Sequence, residues 1–185
     1  MEEWKTYKLG QIAKVQTGPF GSQLHQSDYV DEGIPCIMPV NIGDGLSLLP
    51  DGIAKVTEDD ANRLLKHRVK AGDIVYSRRG DIERCAFISK EQEGWLCGTG
   101  CLRMCDFAPD INPQFVAYYL SLPATRAWLV SNAVGTTMLN LNTSILSDIS
   151  LSIPDYDTQN KIVHIINSLD SKIELNNRIN HNLPS

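Results

Sequence analysis

Apolar residues along this chain fall into several short runs and one long stripe, and the two patterns predict different elements. The short runs at residues 73–77 (DIVYS), 85–89 (CAFIS) and 101–107 combine β-branched, aromatic and thiol side chains. Separated by the turns RRGD and EGW, they predict strands. Residues 34–40 (IPCIMPV) predict another short strand whose prolines suit a sheet edge, and LSI at 151–153 a last one. Thr57 predicts the cap of a helix running to about Lys66, with Asp60 three residues on. Asn112 and Pro113 predict the start of a further helix or of a pair broken at Pro123. Residues 15–23 (VQTGPFGSQ), punctuated by Gly18-Pro19 and Gly21, and the Thr/Asn-rich stretch after Val134 predict loops. This mixture predicts an α+β fold, with a globular domain over residues 1–154 and a long C-terminal helical arm over 155–185.

The arm carries the long stripe. Ile162, Leu169, Asn176 and Leu183 fall seven apart, Ile165 and Ile179 occupy a second seam with Lys172 between them, and Ile166 and Ile173 widen it. Almost every other side chain here is polar, which predicts a rod packing on another helix. Asn176 in the seam is the residue type that fixes register or partner number. The alternative for the same spacing is a helix folded back on its own core.

Charge changes the picture locally rather than globally. The net charge is −5, yet residues 28–60 hold eight acids and one lysine, a local charge of −7. From Arg63 to Arg84, seven bases stand against three acids, a local charge of +4. Such a patch can contact phosphates even on an acidic protein, because counterion release depends on local neutralisation. The start, MEEWKTYKLG, lacks a signal-peptide pattern, and no apolar stretch approaches the roughly 20 residues of a membrane span. A soluble, cytoplasmic protein with no membrane partner is expected. The five cysteines (36, 85, 97, 101 and 105) then predict reduced thiols, and Cys97, Cys101 and Cys105 predict a buried strand lining rather than a metal site, since no C-x-x-C pair is present.

No catalytic constellation emerges. His25, His67, His164 and His181 do not cluster, TGPFGSQ lacks the Gly-Lys-Ser/Thr of a P-loop, and no nucleophile elbow is present. Asn112-Pro113-Gln114-Phe115 is similar to the base-holding loop of amino-methyltransferases, but the Gly-rich cofactor turn that such enzymes need is missing. What remains are three loops rich in nucleic-acid-reading residue types: Thr17, Ser22 and Gln23; Arg78, Arg79 and Arg84; and Thr136, Thr137, Asn140, Asn142 and Thr143. Lys70 joins them as a phosphate contact. Arg reads guanine bidentately, Asn and Gln read adenine, and Ser, Thr and Lys mostly hold phosphate.

In this order, YKLGQIAKVQTGPFGSQL, GDIVYSRRGDIERCAFI, GWLCGTGCLRM, AVGTTMLNLNTSILSDISLSIP and the striped arm resemble the specificity (S) subunit of type I restriction-modification systems. The match is to one target-recognition domain with its spacer helix and covers nearly the whole chain. The resemblance implies a non-catalytic subunit that reads one half of a split site in double-stranded DNA. Helical spacers of that family pack antiparallel, set the distance between two domains and recruit methyltransferase (M) subunits and a restriction (R) subunit. It also implies that S-adenosylmethionine and ATP are bound by those partners and no cofactor by this chain. A complete S subunit looks like two such units, so the chain is read as a half-subunit, natural or truncated, that a C2 homodimer would complete. The competing expectation is a protein-interaction module that binds methyltransferase or another S subunit without reading DNA.

Overall fold

The computed structural model describes residues 4–136 and 138–181. Its fold is α+β. The central sheet has the order β2-β9-β6-β7, from β2 (Lys14–Thr17), β6 (Ile74–Ser77), β7 (Cys85–Phe87) and β9 (Cys101–Cys105), all antiparallel. It is covered on both faces, and the period of two along each strand divides its side chains accordingly. Ile74, Tyr76, Leu102 and Met104 enter the largest apolar cluster, whereas Val75, Ala86 and Cys101 enter a second one with Ile37, Ile42 and Ile88. All five residues of β9 are therefore buried, Arg103 included. Arg103 Nε donates to Asp73 Oδ2 at 2.6 Å, and its Nη1 donates to the Lys66 carbonyl, so the buried charge is paired and hydrogen-bonded.

A mixed sheet of order β3-β5-β4-β8 lies beside it, built from β3 (Tyr29–Val30), β4 (Ile34–Ile37), β5 (Lys55–Val56) and β8 (Leu96–Cys97). Here β4 is an interior strand, antiparallel to β5 and parallel to β8, which corrects the expected edge. Pro35 is tolerated because the Cys36 amide faces β5, donating to the Ala54 carbonyl at 2.7 Å, so Pro35 lacks its amide on the β8 side, where pairing begins only at Cys36. The turn of helix α2 (Glu58–Arg63) that follows is capped as expected: Thr57 Oγ1 accepts from the Asp60 amide at 3.1 Å. It stops short of Lys66, giving way to a 3-10 turn at Leu65–His67.

Helices α1 (Leu9–Ile12), α3 (Pro113–Leu120), α4 (Pro123–Asn132) and α5 (Thr143–Ser147) add buried side chains to the largest cluster. Strand β1 (Lys5–Lys8) pairs antiparallel with β10 (Ser150–Ile153), so the start of the chain is tied to the segment that leads into the last helix. That helix, α6 (Tyr156–His181), continues to the end of the described residues. Two further expectations change. Residues 15–17 belong to β2 and only 18–23 form a loop, because the half-polar Gln16 and Thr17 are paired with Arg103 and Leu102. The arm is also not a rod from its first turn: Gln159 and Val163 are buried in the globular part.

Candidate nucleic-acid interface

Strands β2 and β6 flank β9, and both leave the central sheet at the same end. The Gly18 amide donates to the Cys101 carbonyl and the Arg78 amide to the Gly100 carbonyl, each at 2.9 Å. A Cβ on Gly18 would collide with the Gly98 carbonyl, so this exit requires glycine. The third loop arrives through the Leu141 amide, which donates to the Arg78 carbonyl at 2.9 Å, and through an Arg79–Asn140 bridge. Three segments distant in sequence thus meet around one side chain. Arg78 Nε donates to Asn140 Oδ1 at 3.2 Å and to the Leu141 carbonyl at 3.1 Å, and its guanidinium lies 5.8 Å from the centre of the Phe20 ring.

Around this junction Thr17 ends β2, Ser22 is exposed on the first loop, and Gln23 Oε1 accepts from the Phe20 amide at 3.3 Å. Arg79 and Thr136 are exposed, and Thr137 lies outside the described residues. Arg84 sits further along its loop, paired with Asp81. Asn142 has a structural role that spacing alone did not reveal: its Oδ1 accepts from the Ile145 amide at 2.9 Å and caps α5, of which Thr143 is the first residue. Lys70 is not part of the junction. It precedes β6 and so stands at the opposite end of the sheet, near Lys14, Lys66 and Arg103. The basic run is also dispersed, with Arg63 bound to Asp60 and Arg68 to Glu58. Phe20, 53% exposed, was missed. A lone aromatic in a Gly/Pro/Ser loop is the signal that could have found it.

The arm presents two faces. At about 100° per residue, Gln159, Val163, Asn167 and Asp170 lie about 120° around the helix from Ile165, Leu169, Ile173 and Asn176. The first face packs on α3; on the second, Ile165, Leu169 and Ile173 are 59%, 54% and 58% exposed, and Ile179 is 50% exposed. Ile162 and Ile166 lie between the faces and line a groove with Trp4, Phe115, Tyr118 and Leu122. The fold-back alternative describes the first face, and the second leaves its apolar side chains exposed. Leu183 lies outside the described residues.

The cysteines are buried, as expected from the strand pattern. Burial pushes the thiols of Cys36 and Cys85 up to about 12, and raises those of Cys97, Cys101 and Cys105, which leaves neutral, unreactive groups at neutral pH. Among the described residues no group of three or more His, Cys, Asp or Glu could hold a metal ion, and no helix is long and apolar enough to cross a membrane. Asn112 is fully engaged: its Oδ1 accepts from the Gln114 and Phe115 amides at the start of α3, and its Nδ2 donates to Asn160.

Over residues 1–185 the chain matches the family described as the type I restriction modification DNA specificity domain. The chain belongs to that family. This specificity domain is 30% identical over 188 residues to the type I restriction enzyme HindI specificity subunit of Haemophilus influenzae, a match covering 99% of the chain and 39% of the relative. It is 22% identical to the MjaVIII specificity subunit of Methanocaldococcus jannaschii, over 94% of the chain and 41% of the relative. Its fold agrees with the crystal structure of the S subunit from M. genitalium at a TM-score of 0.65 and 16% identity, over 94% of the chain and 40% of that structure. The domain thus spans about two fifths of the length of these relatives. Specificity subunits of type I systems are non-catalytic DNA-recognition proteins.

Proposed function

We propose that this specificity domain reads one half of a split DNA site and, as a homodimer joined through its arm, directs methyltransferase subunits to that site. Residues 1–154 act as the target-recognition domain and 155–185 as the spacer and docking helix. The observation that carries the reading is the convergence of three polar loops on Arg78, together with an exposed apolar stripe on the arm. Arg78 has its Nε committed to Asn140 and Leu141, which orients the guanidinium without using its terminal amino groups. A guanidinium held in this way is suited to a bidentate contact with guanine, worth roughly 1–3 kcal/mol of discrimination. Exposed Arg79, Thr136 and Ser22 around it are suited to phosphates and base edges. The chain works without a cofactor of its own, and S-adenosylmethionine and ATP belong to the methyltransferase and restriction partners.

Selection from a random duplex pool by the protein assembled with its methyltransferase subunits tests this reading. Enrichment of a palindromic motif with an unread gap is expected, because two identical half-sites would be related by the dimer axis. A bound pool without any motif contradicts DNA reading and leaves the interaction-module alternative.

A further inference from the structure

The contact between the globular part and the arm carries a series of side-chain hydrogen bonds beside its apolar residues. Gln159, 1% exposed, accepts from the Asn112 amide at 2.8 Å and donates to the carbonyls of Asp110 and Pro154, both at 3.0 Å. About two turns along, Gln114 Nε2 donates to Asn167 Oδ1 at 2.8 Å, and Asn167 Nδ2 returns a bond to Gln114 Oε1 at 3.3 Å. The Tyr118 hydroxyl then lies 2.7 Å from both Asn167 Oδ1 and Asp170 Oδ2. Burial and the Asp170 carboxylate raise the Tyr118 phenol above its ordinary range, so it remains a donor. The three levels, at Gln159, Asn167 and Asp170, span about 16 Å of helix at about 1.5 Å per residue. Apolar contact through Ile162, Val163 and Ile166 is non-directional and tolerates sliding or rolling, whereas paired amides and a phenol–carboxylate bond weaken steeply with angle. An orientation is therefore specified that packing alone would leave loose.

We propose that Gln114, Tyr118, Asn167 and Asp170 are positioning residues that clamp the recognition domain at one angle on the arm, and so set which gap between half-sites is accepted. The proposal rests on the split-site reading above. A tilt of about 10° acting over about 30 Å, the length of a twenty-residue helix, moves the far end by about 5 Å. One base pair of gap changes the separation by about 3.4 Å and the relative rotation by about 35°. A joint loose by such an angle cannot reject a gap one base pair too long.

The test is the gap profile of methylation by the assembled complex, on duplexes whose half-sites are held constant and whose gap runs one base pair below to one above the preferred length. Wild type should discriminate sharply. Tyr118→Phe combined with Gln114→Ala should raise the relative rate at the off-length gaps about tenfold, since misplacement of about 1 Å can cost about 100-fold in rate. Asn167→Ala, made on the helix surface where folding is least at risk, should broaden the profile in the same direction. Variants that methylate more slowly but keep the wild-type profile overturn the clamp and leave the split-site reading intact. A wild-type complex with no gapped target at all overturns both.

Discussion

Arg78 and Asn140, 62 residues apart in sequence, share a 3.2 Å hydrogen bond from Nε to Oδ1 that joins the loop after β6 to the loop before α5. The bond uses the one guanidinium nitrogen that points back along the side chain. Asn140 thereby positions Arg78, and the two act as a unit.

Arg78→Ala is expected to weaken binding to the cognate site by about 1–3 kcal/mol. Adding Arg79→Ala should also lower the slope of log affinity against log salt, by about 0.9 for each phosphate contact removed. Asn140→Ala should be non-additive with Arg78→Ala, with a coupling of about 0.5–3 kcal/mol in a double-mutant cycle. Titration of labelled duplex at several salt concentrations measures all three effects. Unchanged affinity and slope in the double arginine variant contradict the assignment.

Leu169→Asp is expected to abolish self-association and methyltransferase capture while leaving the melting temperature close to wild type. Leu169 is 54% exposed within the protein, so the new charge stays in water until a partner helix covers it. Val163→Asp, six residues earlier and 6% exposed, should instead unfold the domain. Sedimentation with thermal melts separates the two outcomes. A Leu169→Asp protein that remains associated places the partner surface elsewhere.

Asp73→Ala should destabilise the domain by about 3–5 kcal/mol, because Arg103 would remain buried and charged without its carboxylate. Replacing both partners, Asp73→Leu with Arg103→Met, should recover most of that loss. Urea unfolding of the three proteins gives the comparison. A single variant as stable as wild type would show that Arg103 finds water or another acid.

His67 links stability to pH. It is 4% exposed, and burial together with the charges of Lys66 and Arg103 lowers its pKa from 6.5 to about 4. Between those values the unfolded chain binds a proton that the folded chain does not. Stability from this residue is thus complete above pH 6.5 and declines as pH falls toward 4, by at most about 3 kcal/mol. His67→Gln should flatten that part of the unfolding midpoint's pH dependence. A variant with the wild-type slope removes His67 as its source.

Long or strongly punctuated elements were legible in the sequence. α6, the Asn112–Pro113 start of α3 and strands β6, β7 and β9 each carry a periodicity or a cap that local physics produces. Strands β3, β5 and β8 are two residues long, too short for any period to register, and are defined only by their neighbours. β2 hid behind Gln16 and Thr17, whose pairing with β9 is non-local. The three polar loops proposed to read DNA stand out by residue type, but their meeting at Arg78 depends on sheet order, and the distance of Lys70 from that junction depends on which end of β6 it precedes. On the arm, one spacing concealed two faces. Val163 and the polar residues that bind α3 look like part of the surface until the fold decides which side turns inward.

The most direct test of the central claim is genome-wide adenine methylation in the host, compared with and without the gene for this protein. DNA reading by a homodimer predicts that one palindromic, gapped motif loses its methylation when the protein is absent and regains it on complementation, but not with the Arg78→Ala, Arg79→Ala variant. Methylation unchanged at every motif would contradict the account.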